Sequence, residues 1–146
     1  MSALLPRACT KVLVGVDITD VRQLAERLAR QPDLAEVIFS PRELAYATGR
    51  NRRVEHLAAR FAAKEAVFKA LGAGQRWREV EIVNSVSGKP RLHLSGDAAA
   101  SAVRRRICDM DISLSHSGGL AIAFVVFTAV DDRNELDTAA AEEVTA

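Results

Sequence analysis

Two carboxylates, Asp17 and Glu65, stand where an acid is expensive. Asp17 is near the end of the apolar run KVLVGVDI (11–18), just before a helix start. Glu65 lies inside the segment 54–71, which is apolar on two opposite arcs and keeps its charges, Arg60, Lys64, Glu65 and Lys69, at the boundaries between them. Glu65 and Lys69 are four apart and share one boundary; Arg60 and Lys64 share the other. Burying such groups costs several kcal/mol each, of order 3–5, unless they are paired or hold an ion. Two readings are open. The four charges could form helix-surface ion pairs worth a few tenths of a kcal/mol, with Asp17 a helix cap. Alternatively Asp17 and Glu65, with cations near both, meet the requirements of a Mg²⁺–phosphate site, since Mg²⁺ takes few protein carboxylates and fills its octahedron with water and phosphate oxygens. Asp20 already fills the capping role, which favours the second.

The elements that would position these groups follow from pattern. Residues 11–18 form a β-branched strand whose even positions Val12, Val14, Val16 and Ile18 face one way, with Leu13, Gly15 and Asp17 facing the other. Asp20 opens a helix to about Arg30, with Leu24 and Leu28 as its apolar stripe. Ser40 and Pro41 open a short helix closed by Gly49. Val54–Leu71 is the strongest helix, with small alanines where another element packs closely and Gly72 as its stop. Glu79–Asn84 and Pro90–Leu94 read as a hairpin, Asp97–Ile107 as a helix, and Asp111–Ser115 and Ala121–Val130 as strands around His-Ser-Gly-Gly. The order β-α-α-α-β-β-α-β-β predicts an α+β fold, a mainly antiparallel sheet packed against a long buried helix.

Length and composition fit one ordinary domain. The 146 residues are 49% hydrophobic and 27% charged, with a formal charge of +1, and a chain of this size buries about 70% of its unfolded surface without a metal or disulfide staple. Cys9 and Cys108 match no disulfide framework or metal spacing and read as reduced thiols, consistent with a cytoplasmic protein. No segment has the apolar length of a membrane span or of a secretory signal, so no membrane partner is expected. Residues 1–130 are expected to form the single domain, and 131–146, with six Asp/Glu against one Arg, an acidic disordered tail. From Arg42 to Arg78 nine Lys/Arg face three Glu, a basic middle that suits a polyanionic partner or a solvated surface. His56, His93 and His116 read by default as solvated or satisfied histidines, and Leu-Gly-Ala-Gly (71–74) as a helix cap rather than a phosphate loop.

Taken together, the segments Gly15-Val-Asp-Ile, Phe39-Ser-Pro-Arg-Glu-Leu, Ala59-Arg-Phe-Ala-Ala-Lys-Glu-Ala-Val-Phe-Lys-Ala-Leu-Gly-Ala-Gly, Asn84 with Gly88-Lys-Pro, and Ile112-Ser-Leu-Ser-His-Ser resemble, in order, the holo-acyl-carrier-protein synthases, the small 4′-phosphopantetheinyl transferases. The resemblance implies their fold and their reaction: transfer of the 4′-phosphopantetheine arm of coenzyme A to a serine of an acyl carrier protein, releasing 3′,5′-ADP. It implies Asp17 and Glu65 as Mg²⁺ ligands and Lys69 as the catalytic lysine near the pyrophosphate. Arg60, Lys64, Gly72, Gly74, Pro90 and His116 match cofactor-binding positions, and Arg52 or Arg53 falls where the 3′-phosphate is held. Arg22, Arg27 and Arg30 of the first helix match the surface that docks the acidic carrier. The resemblance also implies a homotrimer with the site at a subunit interface, where Asp17 and Glu65 can come from different chains.

Three departures stand out: Ala59 replaces a frequent glycine, Asp111 replaces the histidine that usually opens the His-Val-Ser-Ile-Ser-His strand, and the segment between Gly74 and Glu81, toward the cofactor's adenine end, is short. The competing expectations are a catalytically inactive member that binds coenzyme A, and a nucleic-acid-binding module built on the basic middle. The second is disfavoured because the cations lie on an apolar helix and Tyr46 and Trp77 are the only strong stacking residues besides phenylalanine.

Overall fold

The computed structural model describes residues 11–72 and 76–130. The expectations placed on residues 1–10, on Gly74 and on the acidic segment 131–146 lie outside these. Strand β1 (Lys11–Asp20) leads into helices α1 (Val21–Arg30), α2 (Leu34–Ile38), α3 (Pro41–Thr48) and α4 (Arg53–Leu71). Hairpin β2 (Val80–Asn84) and β3 (Pro90–Leu94), helix α5 (Gly96–Arg104) and hairpin β4 (Ile107–Ser117) and β5 (Leu120–Ala129) complete the chain. The strands form an antiparallel sheet of order β1-β5-β4 and a separate two-stranded sheet β2-β3.

Period-two alternation decides which side of the larger sheet is covered. On β5, Ala121, Ala123, Val125, Phe127 and Ala129 are buried beneath α4, and on β1 Leu13, Gly15, Asp17 and Thr19 face the same way. Helix α4 lies almost in contact with the strand backbone: a Cβ added at Gly15 would overlap the Ala66 carbonyl. Glycine on the strand and Ala62, Ala63, Ala66 and Ala70 on the helix are therefore two halves of one close approach.

The local stops behave as their chemistry dictates. Asp20 accepts a hydrogen bond from Gln23 N at 2.9 Å and so caps α1, leaving Asp17 for another purpose. Ser40 and Glu43 form a reciprocal capping box at α3. Gly72 ends α4 at φ +90°, a conformation that favours glycine. Two boundaries differ from the sequence expectation by three residues or more: α5 ends early, and β4 begins at Ile107 instead of Asp111. Helix α5 stops at Arg104, not Ile107, because Arg106 turns the chain at φ +55° and Ile107 pairs with Ala129 as the first residue of β4. Helix α2 has no counterpart in the sequence reading.

Candidate active site

The carboxylate pair forms where the Gly15–Ala66 approach pulls β1 against α4. Asp17 lies two residues beyond Gly15 on the same face, and Glu65 and Lys69 flank Ala66 on the helix side nearest it. Lys69 Nζ donates to Asp17 Oδ1 at 2.8 Å and to the Val16 carbonyl at 3.0 Å. Burial, and then the neighbouring Asp17 charge, hold the Glu65 carboxyl above the ordinary carboxylate range, against the opposing pull of Lys69 and Arg27. A raised Glu65 beside a second carboxylate is the electrostatic signature of a site that a cation would relieve. Within one chain Asp17 is near enough to Glu65 to act on its ionisation.

The described residues contain no cluster of three or more His, Cys, Asp or Glu that could cage a metal by itself. The donor set is two hard oxygen ligands with a cation beside them, which fits Mg²⁺ completed by water and phosphate and does not fit a closed structural metal site.

The expected cofactor residues gather on the opposite flank of α4. A cleft of about 350 Å³ is lined there by Tyr46, His56, Arg60, Asn84, Pro90 and His116, among others. Arg60 is nearly buried; its Nη2 donates to Asn84 Oδ1 at 2.7 Å, its Nη1 to the His56 carbonyl at 3.3 Å, and its guanidinium stacks 4.1 Å from the Tyr46 ring centroid. Arg50 covers the same ring at 4.0 Å, and His56 meets it edge-on at 5.5 Å. The Arg60 Nε is buried without a hydrogen-bond partner among the described residues. Burial lowers the His56 pKa, and Arg60, Arg50 and His116 lower it further against the opposing pull of Glu55.

His116 joins this cleft to a second one of about 430 Å³ lined by Arg52, Glu55, Gly118 and Gly119. Arg52 lies 3.6 Å from Glu55, which lies 3.6 Å from His116 Nδ1. Of the two alternatives for the 3′-phosphate position, Arg52 faces the cleft and Arg53 begins the helix as an exposed residue outside that lining.

The two groups are on outer strands of one sheet. Asp17 on β1 and Leu114 on β4 both register with Ala123 of β5, placing them roughly 10 Å apart across two strand spacings, with α4 between. A larger cleft, about 540 Å³, runs between β3 and β4 past the Lys89–Asp111 ion pair at 3.0 Å, and of the expected site residues only Pro90 lines it. Lys89 also holds the Asp111 carboxyl below the ordinary carboxylate range, which gives the unexpected Asp111 an ionic partner.

Lys64 departs from its expected place. It is 0% exposed, pairs with Glu43 at 3.0 Å and donates to the carbonyls of Trp77 (3.0 Å) and Val80, so no donor reaches a cofactor. With Arg60 also enclosed, the basic middle is not the continuous cationic surface that a nucleic-acid module needs. The reading of the sequence gave Tyr46 no place at the site and took His56 as a solvated or satisfied histidine. Its signal was the spacing His56–Arg60, one turn apart on one helix face. Gly72 closes α4 beside an Arg105 side chain, and Pro90 lines the Arg60 cleft. On α1, Arg22, Arg27 and Arg30 are all exposed; Arg22 pairs with Glu26 at 3.1 Å, and Arg27 is near enough to Glu65 to act on its ionisation.

Comparison with known proteins converges on one family. The ACPS model, described as the 4′-phosphopantetheinyl transferase superfamily, matches residues 13–125. The chain is 49% identical over 117 residues to the holo-[acyl-carrier-protein] synthase of Salinispora arenicola, covering 79% of this chain and 96% of that one. It is 48% identical over 115 residues to the synthase of the same name from Frankia alni, covering 77% and 93%. Among solved structures, an ACPS–CoA complex of Chronobacterium ammoniagenes superposes with a TM-score of 0.72 at 33% identity, covering 83% of this chain and 99% of that chain. With a family model matched across nearly the whole described fold and relatives this similar along their own length, the chain belongs to the 4′-phosphopantetheinyl transferase superfamily.

Proposed function

We propose that this protein moves the 4′-phosphopantetheine arm of coenzyme A to a serine hydroxyl of an apo acyl carrier protein. The serine oxygen forms a bond to the phosphorus next to pantetheine, the pyrophosphate bridge breaks, and 3′,5′-ADP leaves. The observation that carries this reading is the Asp17–Glu65–Lys69 cluster on β1 and α4, in a chain whose relatives are named for this synthase activity.

Asp17 and Glu65 would hold Mg²⁺, which supplies Lewis-acid polarisation of the phosphoryl group and neutralises charge on the departing phosphate. Lys69 has three donors, and Val16 O and Asp17 occupy two of them; the third is available to a phosphate oxygen. Its position one turn beyond Glu65 puts its ammonium group beside the carboxylate pair. Arg60, His116 and Arg52, with Pro90 and Asn84 at the rim, supply the cleft for the anionic, nucleotide end of coenzyme A. Exposed Arg22, Arg27 and Arg30 suit an acidic carrier, and their charges speed and orient its approach.

We further propose a homotrimer with sites between subunits. Two features support it. The uncovered face of the sheet exposes Val12, Val14, Val16 and Ile18 at 52–59% each, beside Ile122 and Phe124 at 39% and 43%, a contiguous apolar surface of the kind that marks an interface. The carboxylate cluster and the cationic clefts also open at opposite edges of that sheet, so neighbouring copies can bring one against the other. None of the described helices is long and apolar enough to cross a membrane.

The test is to incubate the protein with an apo-carrier, coenzyme A and Mg²⁺ and to weigh the carrier. Gain of a phosphopantetheine mass, absent without Mg²⁺, is expected. Coenzyme A binding with no mass gain across a panel of carriers would support the inactive-member alternative instead.

A further inference from the structure

Helix α4 carries two inward cations one turn apart, Arg60 and Lys64, and each reaches the same two partners, α3 on one side and β2 on the other. The outer rung is Tyr46–Arg60–Asn84: the guanidinium stacks on the Tyr46 ring and donates to Asn84 Oδ1 at 2.7 Å. The inner rung is Glu43–Lys64–β2: Lys64 Nζ pairs with Glu43 Oε2 at 3.0 Å, and Glu43 Oε1 accepts from Ile82 N at 2.9 Å. The spacings are three residues on α3 (43 to 46), four on α4 (60 to 64) and two on β2 (82 to 84), each the repeat that keeps side chains on one face. The two rungs are therefore parallel by construction.

They differ in exposure to ligand. The outer rung lines the 350 Å³ cleft and leaves the Arg60 Nε without a partner among the described residues. The inner rung is sealed, with Glu43 and Lys64 at 1% and 0% exposure and their polar atoms engaged by Ser40 N, Ile82 N, Trp77 O and Val80 O. Apolar side chains of similar volume would hold three elements together as well as a buried ion pair does. What they lack is direction: the ionic rung fixes the height of β2 along α4, and hence where Asn84 meets Arg60. Asn84 passes that placement on, since its Nδ2 donates to the Gly88 carbonyl at 2.9 Å and so anchors the turn leading to Lys89 and Pro90.

We propose that Glu43 is a positioning residue for the coenzyme A cleft, acting through Lys64 and the β2 backbone to set the Arg60–Asn84 contact. The inference rests on assigning that cleft to coenzyme A. The experiment is calorimetric titration of coenzyme A into the intact protein with Mg²⁺, with melting temperature followed alongside. Glu43→Gln keeps the shape but turns an amide toward Lys64, and it is expected to weaken binding about tenfold or more, while the double variant Glu43→Gln/Asn84→Ala binds within about twofold of Asn84→Ala alone, because the two substitutions break one chain of contacts. Ser40→Ala supplies the control: it removes the other half of the α3 cap without touching the carboxylate, and is expected to lower the melting temperature and leave affinity unchanged. Should Glu43→Gln fail to fold, Glu43→Asp, which keeps the charge but falls short of Ile82, is read in the same way. Unchanged affinity in the Glu43 variant, effects that add with Asn84→Ala, or an equal loss in Ser40→Ala would overturn the proposal while leaving the function intact. Wild-type protein that binds no coenzyme A would instead overturn the function and this inference with it.

Discussion

The two flanks of α4 use the same vocabulary, a cation and a carboxylate brought together by tertiary contact, to opposite ends. On the β1 flank, Lys69 and Asp17 meet at 2.8 Å with Lys69 55% exposed, and Glu65 stands beside them with its pKa raised. On the α3 flank, Lys64 and Glu43 meet at 3.0 Å with neither exposed. The first is electrostatically unfinished and open to solvent, which suits a place where ions and phosphates come and go. The second is closed on every side, which suits a joint. Distance alone does not separate them; burial and the number of satisfied donors do.

That contrast can be broken by substitution. Lys64→Met leaves Glu43 charged and buried and is expected to cost about 3–5 kcal/mol of stability, measured by denaturant unfolding. Lys69→Met on the other flank should cost no more than about 1 kcal/mol, since a half-exposed pair contributes little to folding, but it should sharply reduce transfer. Equal stability losses would erase the distinction between the flanks. Gly15→Ala comes next. Its methyl group overlaps the Ala66 carbonyl, so helix and strand must part, with about 1–3 kcal/mol lost and Asp17 moved away from Glu65. Weaker Mg²⁺-dependent transfer at temperatures where the variant is still folded is the outcome to look for.

Smaller effects follow from ionisation. Glu65 is raised in the folded state, so it contributes stability below its unfolded pKa that is lost as pH rises through its folded pKa. In the absence of divalent cations, the melting temperature of the wild type should therefore fall relative to Glu65→Gln as pH is raised through that window, and Mg²⁺ should reduce the difference. Asp111 has the opposite sign: Lys89 lowers its pKa, so any contribution exists above the unfolded pKa and is lost as pH falls through the folded value. Because that pair is exposed, Asp111→Asn should leave the melting temperature at neutral pH unchanged, and a clear drop would give the pair a weight its exposure does not predict.

Much of this was legible in the sequence where the signal is local. The alternation of Val12 to Ile18 gave the two faces of β1, Asp20 and Ser40 marked their helices, and the small residues of 58–70 announced a close packing partner. Charge partners set by tertiary contact were not legible. Helical spacing placed Lys64 with Arg60 on one boundary, but its partner Glu43 is 21 residues away, and nothing in α4 says that α3 folds over it. The end of α5 was misread for a related reason: Arg104, Arg105 and Arg106 are good helix formers, and the turn at Arg106 is imposed by pairing of Ile107 with β5 rather than by a glycine. At the site, residue type and placement singled out Asp17 and Glu65 and the family resemblance added Lys69, while Tyr46 and His56 gained meaning only once α3 was seen to lean on Arg60.

The central claim is that Asp17 and Glu65 of one chain grip a single divalent cation. Titrating Mg²⁺ into the protein loaded with coenzyme A, in wild type, Asp17→Asn and Glu65→Gln, tests it most directly. The wild type should show a Mg²⁺ binding heat that both variants lose, with their melting temperatures preserved. A Glu65→Gln protein that takes up Mg²⁺ as the wild type does would contradict the claim.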